Sequence, residues 1–164
     1  METKKQQIVK SSIGISAENT QAVVYALSKI LADEYILALK TRNAHWNIES
    51  ANFYALHAFF DSQYKQLDIL INKIAERIRS LGHYSPATMK LFLELSSLTE
   101  MHGEISAGSD FIKELIADHE SIIFKMREQI DPFLEKNKEA ATSNFITGLI
   151  EEHEIMAWLL RSHL

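Results

Sequence analysis

Cysteine is absent from this chain, which excludes disulfides, thiolate metal sites and thiol nucleophiles. Glycine and proline are scarce, five and two in 164 residues, leaving little raw material for turns. No stretch approaches the roughly eighteen uncharged apolar residues of a membrane span. The opening segment Met1–Lys10 is polar and lacks an apolar core, so it does not read as a secretory signal. A formal net charge of −5 argues against a strongly basic nucleic-acid binder. With a length suited to one domain of ordinary size, the expectation is a soluble, cytoplasmic protein with a real core.

What the chain does have is helical periodicity almost everywhere. Val23, Val24, Leu27, Ile30, Leu31, Tyr35 and Ala38 recur at three- and four-residue steps. Phe53, Leu56, Phe60, Tyr64, Leu67, Ile71, Ile74, Ile78 and Leu81 sustain a second stripe, which Gly82 and then Pro86 end. A third segment starts near Ser109 or a little before and carries Phe111, Leu115, Ile116, Ile122, Ile123, Met126 and Ile130. A fourth, after about Lys138, shows Phe145, Leu149, Ile150, Met156, Leu159 and Leu160. Residues 87–97 predict a short additional helix in the long connection between the second and third. Pro132, after Asp131, is expected either to kink the third helix or to end it. The fold predicted is all-α, a ferritin-like four-helix bundle over residues 18–164. Residues 1–17 read as a flexible polar N-terminal arm.

Four residues carry the chemistry: His45, His57, Asp61 and Glu76. Imidazole nitrogen and carboxylate oxygen together suit Fe(II). His57 and Asp61 are four apart and share a helix face. Glu76 lies nineteen residues beyond His57, about 28 Å along a straight helix at about 1.5 Å per residue. One ion cannot touch both ends of that helix within one chain, so a shared ion requires a second copy of the chain. Singly, each residue is more often a packing histidine or a solvated charge than a ligand. Together His57, Asp61, Asp68, Asn72 and Glu76 form a polar stripe beside the apolar seam, facing either solvent or a neighbouring subunit.

The run Arg42-Asn43-Ala44-His45-Trp46-Asn47-Ile48, with Asn52-Phe53, Leu56-His57, Phe60-Asp61, Tyr64, Leu67-Asp68 and Ala75-Glu76-Arg77, resembles the Dps family. These are dodecameric mini-ferritins, the DNA-binding proteins from starved cells. The resemblance continues through Ala117-Asp118-His119-Glu120 and residues 147–158, so it covers about residues 18–164. It implies a ferroxidase centre across a two-fold interface of a homo-oligomer, with His45, His57 and Asp61 from one chain and Glu76 from the other. It also implies oxidation of iron from Fe(II) to Fe(III), hydrogen peroxide preferred over dioxygen, and storage of ferric mineral in a hollow shell. No Glu-x-x-His pair, the ligand motif of di-iron sites inside one bundle, occurs in the chain.

Departures from the family's pattern qualify this. Asn72 stands where the family usually has aspartate, and a neutral amide is a poorer partner for a hard cation; one iron position is expected to be weakened. Near the expected three-fold pore, Asn144 and Ala140 replace common aspartates, leaving Glu135 and Glu139 as possible cation attractors. Trp46, beside His45, and Trp158 read either as interceptors of stray oxidising equivalents or as packing residues. DNA binding, the family's other activity, would rest on Lys4, Lys5 and Lys10 of the arm, a modest positive excess, and is not favoured. The competing function is a DNA-compacting shell protein whose iron centre is impaired. His83, His102, His119, His153 and His163 read as surface or packing positions.

Overall fold

Local chemistry marks several of the helix ends. In the computed structural model, which describes residues 12–101 and 107–164, α1 spans Ala17–Asn47. Its first turn is capped by Ser16, whose hydroxyl accepts the Asn19 N–H at 3.2 Å. Helix α2, Phe53–Ser80, ends on Gly82, whose φ of 88° lies in the left-handed region that glycine enters without penalty. The short α3, Met89–Leu95, is capped by Thr88 and matches the extra helix predicted in the long connection. Helix α4 runs Gly108–Asp131, and α5 runs Ala140–Arg161. Residues 1–11 and His102 lie outside the described residues, as do the arm lysines Lys4, Lys5 and Lys10.

Pro132 neither simply kinks nor simply ends α4. Its missing N–H breaks the α-helical ladder, and the chain continues as one π-helical turn over Pro132–Lys136. Lys138 then takes a left-handed φ of 56°, and the Glu139 carboxylate accepts the Ala141 and Thr142 N–H groups to start α5. Glu139 is buried, and its other oxygen accepts from Arg77 at 2.9 Å. This side chain is a structural cap fastening α2 to α5, which removes it as an attractor for cations. Glu135 is exposed.

The antiparallel α1–α2 pair packs on the α4–α5 pair, chiefly through α1 against α4, with α3 lying along α1. The seam between them is a continuous core that includes Leu27, Leu31, Leu37, Phe60, Leu67, Ile74, Phe111, Leu115, Met126 and Leu160. Full burial of each such side chain contributes roughly 1.5–3 kcal/mol, so packing rather than propensity holds the helices. Buried polar groups tie the pairs together. Lys40 of α1 reaches Glu114 and Asp118 of α4 at 2.7 and 2.5 Å. Asp33 of α1 accepts from Ser96, Ser97 and Leu98, fastening the long connection to the bundle. These features make the fold the expected ferritin-like four-helix bundle. No helix among the described residues is long and apolar enough to cross a membrane.

Candidate metal centre

His45 sits in the last turn of α1 and His57 in the second turn of α2, so the five-residue turn between the helices brings them face to face. Their rings stack with centroids 3.8 Å apart and planes inclined by 24°. Each ring is also locked by the other residue's backbone. His45 Nδ1 donates to the His57 carbonyl at 2.9 Å, and His57 Nδ1 donates to the His45 carbonyl at 2.8 Å. A carbonyl oxygen can only accept, so both Nδ1 atoms carry the proton. In the neutral rings both Nε2 lone pairs are then free, and the reciprocal bonds fix their direction. This is how metal-binding histidines are ordinarily oriented, with the second ring nitrogen tied to a carbonyl or carboxylate.

One turn beyond His57, Asp61 extends the same half-buried surface. Tyr64 donates to its Oδ1 at 2.7 Å and Lys65 to its Oδ2 at 2.6 Å. The Lys65 bond first, then the Tyr64 bond, hold the Asp61 carboxyl below its usual range, so it is a carboxylate at any ordinary pH. The Tyr64 ring stands edge-on to His45 at 5.4 Å, and the Arg42 guanidinium covers its face at 4.7 Å. Arg42 in turn pairs with Asp68 at 2.5 Å. Phe53 stacks on the outer side of His57 at 5.0 Å while remaining exposed.

Glu76 is exposed near the other end of α2. Its Oε1 accepts from the Asn72 amide at 3.0 Å. The structure therefore brings His45 and His57 into contact, sets Asp61 one turn further along α2, and leaves Glu76 apart, as the helix geometry requires. Among the described residues, no three histidine, aspartate or glutamate side chains converge closely enough to hold a metal ion. The chain presents two partial donor sets, one at each end of one face of α2. Trp46 and Trp158 are 63% and 60% exposed, so neither packs in the core of its own chain.

Sequence reading missed a second cluster, in the middle of the bundle. Glu34, His119 and His153, from α1, α4 and α5, are each no more than 1% exposed. His153 Nε2 donates to Glu34 Oε1 at 2.7 Å, and its Nδ1 lies 2.9 Å from His119 Nδ1. Burial, reinforced by His153, pushes His119 well below the ordinary value of 6.5, so this ring is neutral near neutral pH. The missed signal was Glu34, which with Asp33 interrupts the otherwise apolar run Ile30–Ala38. Elsewhere His83 contacts the Thr20 hydroxyl at 3.1 Å, and His163 packs on Phe59. Both are the packing roles expected.

With this geometry in view, the relatives are informative. The ferritin-like domain family matches residues 24–164. DNA protection during starvation protein 2 of Bacillus anthracis is 32% identical over 143 residues, 87% of this chain and 96% of that protein. The chain belongs to the Dps family. A low temperature-induced protein of Nostoc, of uncharacterised function, is 37% identical over 153 residues, 93% of this chain and 86% of that one. Among solved structures, the Dps protein of Vibrio cholerae O1 superposes with a TM-score of 0.86 at 25% identity, covering 93% of this chain and 95% of that one. That protein is described as a member of a broad superfamily of ferritin-like diiron-carboxylate proteins. Streptomyces coelicolor DpsC shares the fold with a TM-score of 0.91 at 20% identity, covering 99% and 95% of the two chains. As a Dps protein, this chain falls among the iron-storing mini-ferritins that protect against oxidative stress, with ferroxidase-type chemistry general to the family.

Proposed function

We propose that two copies of this chain, related by a two-fold axis, complete a ferroxidase centre from His45, His57 and Asp61 of one and Glu76 of the other. An isologous contact of that kind yields two equivalent sites per pair. The observation that carries the reading is the reciprocal His45–His57 lock, which commits both Nδ1 atoms and leaves two oriented Nε2 donors on a surface where, among the described residues, no complete metal site forms within one chain. A packing histidine has no need of such an arrangement. Glu76, exposed on the same helix, is available to a neighbouring copy.

Fe(II) is the substrate. The two Nε2 atoms and the carboxylates of Asp61 and Glu76 hold it, leaving positions open to hydrogen peroxide. Tyr64 keeps Asp61 oriented through its hydroxyl. Two Fe(II) ions oxidised at neighbouring positions supply the two electrons that peroxide takes up, so hydroxyl radical is not released. The ferric product passes to mineral inside a dodecameric, cytoplasmic shell. The reading is tested by loading the protein with Fe(II) anaerobically and adding peroxide or dioxygen in separate samples. Two Fe(II) consumed per peroxide, faster than with dioxygen and with a soluble ferric core, supports it. Oxidation at the protein-free rate with precipitation refutes it.

One observation favours a second reading. The Asn72 amide donates to Glu76 where a family aspartate would add negative charge, which weakens one metal position. A shell protein that compacts DNA with an impaired iron centre would show retarded DNA in a gel at low salt and no peroxide-dependent iron uptake. The residues that would carry DNA contact lie in the arm.

A further inference from the structure

Both acids of the proposed iron site are already engaged by donors from their own helix, and the three donors differ in kind. Asp61 Oδ2 accepts from the ammonium of Lys65, four residues on, while Asp61 Oδ1 accepts from the neutral hydroxyl of Tyr64. Glu76 Oε1 accepts from the neutral amide of Asn72, four residues back. An approaching divalent cation needs a carboxylate oxygen. The tyrosine and the asparagine carry no charge and can remain beside it. Lys65 carries a full positive charge and cannot share the oxygen. The lysine side chain is 63% exposed, so it can swing into water while its backbone stays fixed on α2.

Resting on the ferroxidase reading above, we propose that Lys65 is a tethered competitor of Fe(II), occupying Asp61 until the metal displaces it and returning when the ferric product leaves. The charge count makes the effect sizeable. Asp61 and Glu76 bring two negative charges to the site, and Lys65 cancels one before the ion arrives. A unit charge held within a few ångströms of a divalent ion, in a water-like and salt-screened environment, lowers its affinity by about tenfold. The expected outcome is a site tuned for passage of iron rather than for its retention. Lys65 is thus a positioning residue that sets occupancy and takes no part in electron transfer.

The test uses the full-length protein, with Co(II) as a redox-inert probe titrated anaerobically and followed by its visible absorption and by calorimetry. Lys65→Met should tighten Co(II) binding by about five- to tenfold, and Lys65→Arg, which keeps the charge, should bind as the parent does. In Fe(II) oxidation the half-saturating Fe(II) concentration should fall by the same factor for Lys65→Met, with the saturating rate little changed. A lysine that merely supports the helix would change thermal stability and leave both half-saturation and Co(II) affinity where they were. Unchanged Co(II) affinity in Lys65→Met, with binding abolished by His45→Ala, overturns the competitor and leaves the ferroxidase reading standing. Unchanged binding in His45→Ala as well overturns both.

Discussion

Two histidine pairs in this molecule use the same side chains to opposite ends. In the core, His119 and His153 contact each other, His153 also bonds to Glu34, and both rings are fully buried. At the α1–α2 turn, His45 and His57 spend one nitrogen each on a backbone carbonyl and keep the other. The first arrangement joins three helices. The second leaves oriented donors at a half-buried surface. Residue type and proximity therefore do not identify a metal site; the core cluster keeps even its unpartnered Glu34 Oε2 enclosed, whereas the surface pair holds its remaining nitrogens at a half-buried face.

That contrast predicts a crossover between stability and activity. His153→Ala should leave the Glu34 carboxylate buried without its partner and lower stability by about 3–5 kcal/mol, read as a shift in the denaturant midpoint, with Fe(II) oxidation intact in the folded fraction. His57→Ala should change stability by less than about 1 kcal/mol while abolishing peroxide-dependent oxidation. Equal stability losses in the two variants would erase the distinction.

Acid should weaken folding through His119. His119 has a folded-state pKa well below 6.5, because burial first and His153 second disfavour its charged form. The unfolded chain therefore takes up a proton there before the folded chain does. The stability contributed by neutral His119 is fully present above about pH 6.5 and is lost as pH falls below it, at up to about 1.4 kcal/mol per pH unit. Unfolding followed between pH 7.5 and 5 should show that slope, and His119→Phe should flatten it. A slope unchanged in His119→Phe would assign acid sensitivity elsewhere.

At the surface pair's far ligand, Asn72→Asp should replace the amide beside Glu76 with a second carboxylate and tighten divalent-metal binding several-fold. An unaltered metal titration would show that position 72 is not a ligand. The effect on folding should stay within about 0.5 kcal/mol, as for other exposed substitutions.

The bundle was legible because apolar residues at three- and four-residue steps run through every long helix, and because Gly82 with Pro86 punctuates the second. The short helix at Met89–Leu95 was visible for the same reason. The π-helical turn after Asp131 was not, since proline forbids an α-helical hydrogen bond without dictating what replaces it. Glu139 looked like a free acid in a polar stretch; its burial depends on Arg77, sixty-two residues earlier, a contact no local pattern encodes. His45, His57 and Asp61 were singled out as candidate ligands through motif and spacing, and the structure adds what spacing lacks, namely which nitrogen of each histidine ring faces a carbonyl. The Glu34–His153–His119 cluster draws on three helices far apart in sequence, so only the acidic pair Asp33-Glu34 inside an apolar run hinted at it.

Subunit mixing tests the shared centre most directly. His45→Ala and Glu76→Ala proteins should each fail to oxidise Fe(II), because every site in either assembly lacks one ligand. Co-expressed in equal amounts, half of the two-fold pairs contain one chain of each kind, and in each such pair one of the two sites combines intact histidines with an intact Glu76. Oxidation should return to about a quarter of the parent rate. A mixture as inactive as its components would contradict a centre built by two chains.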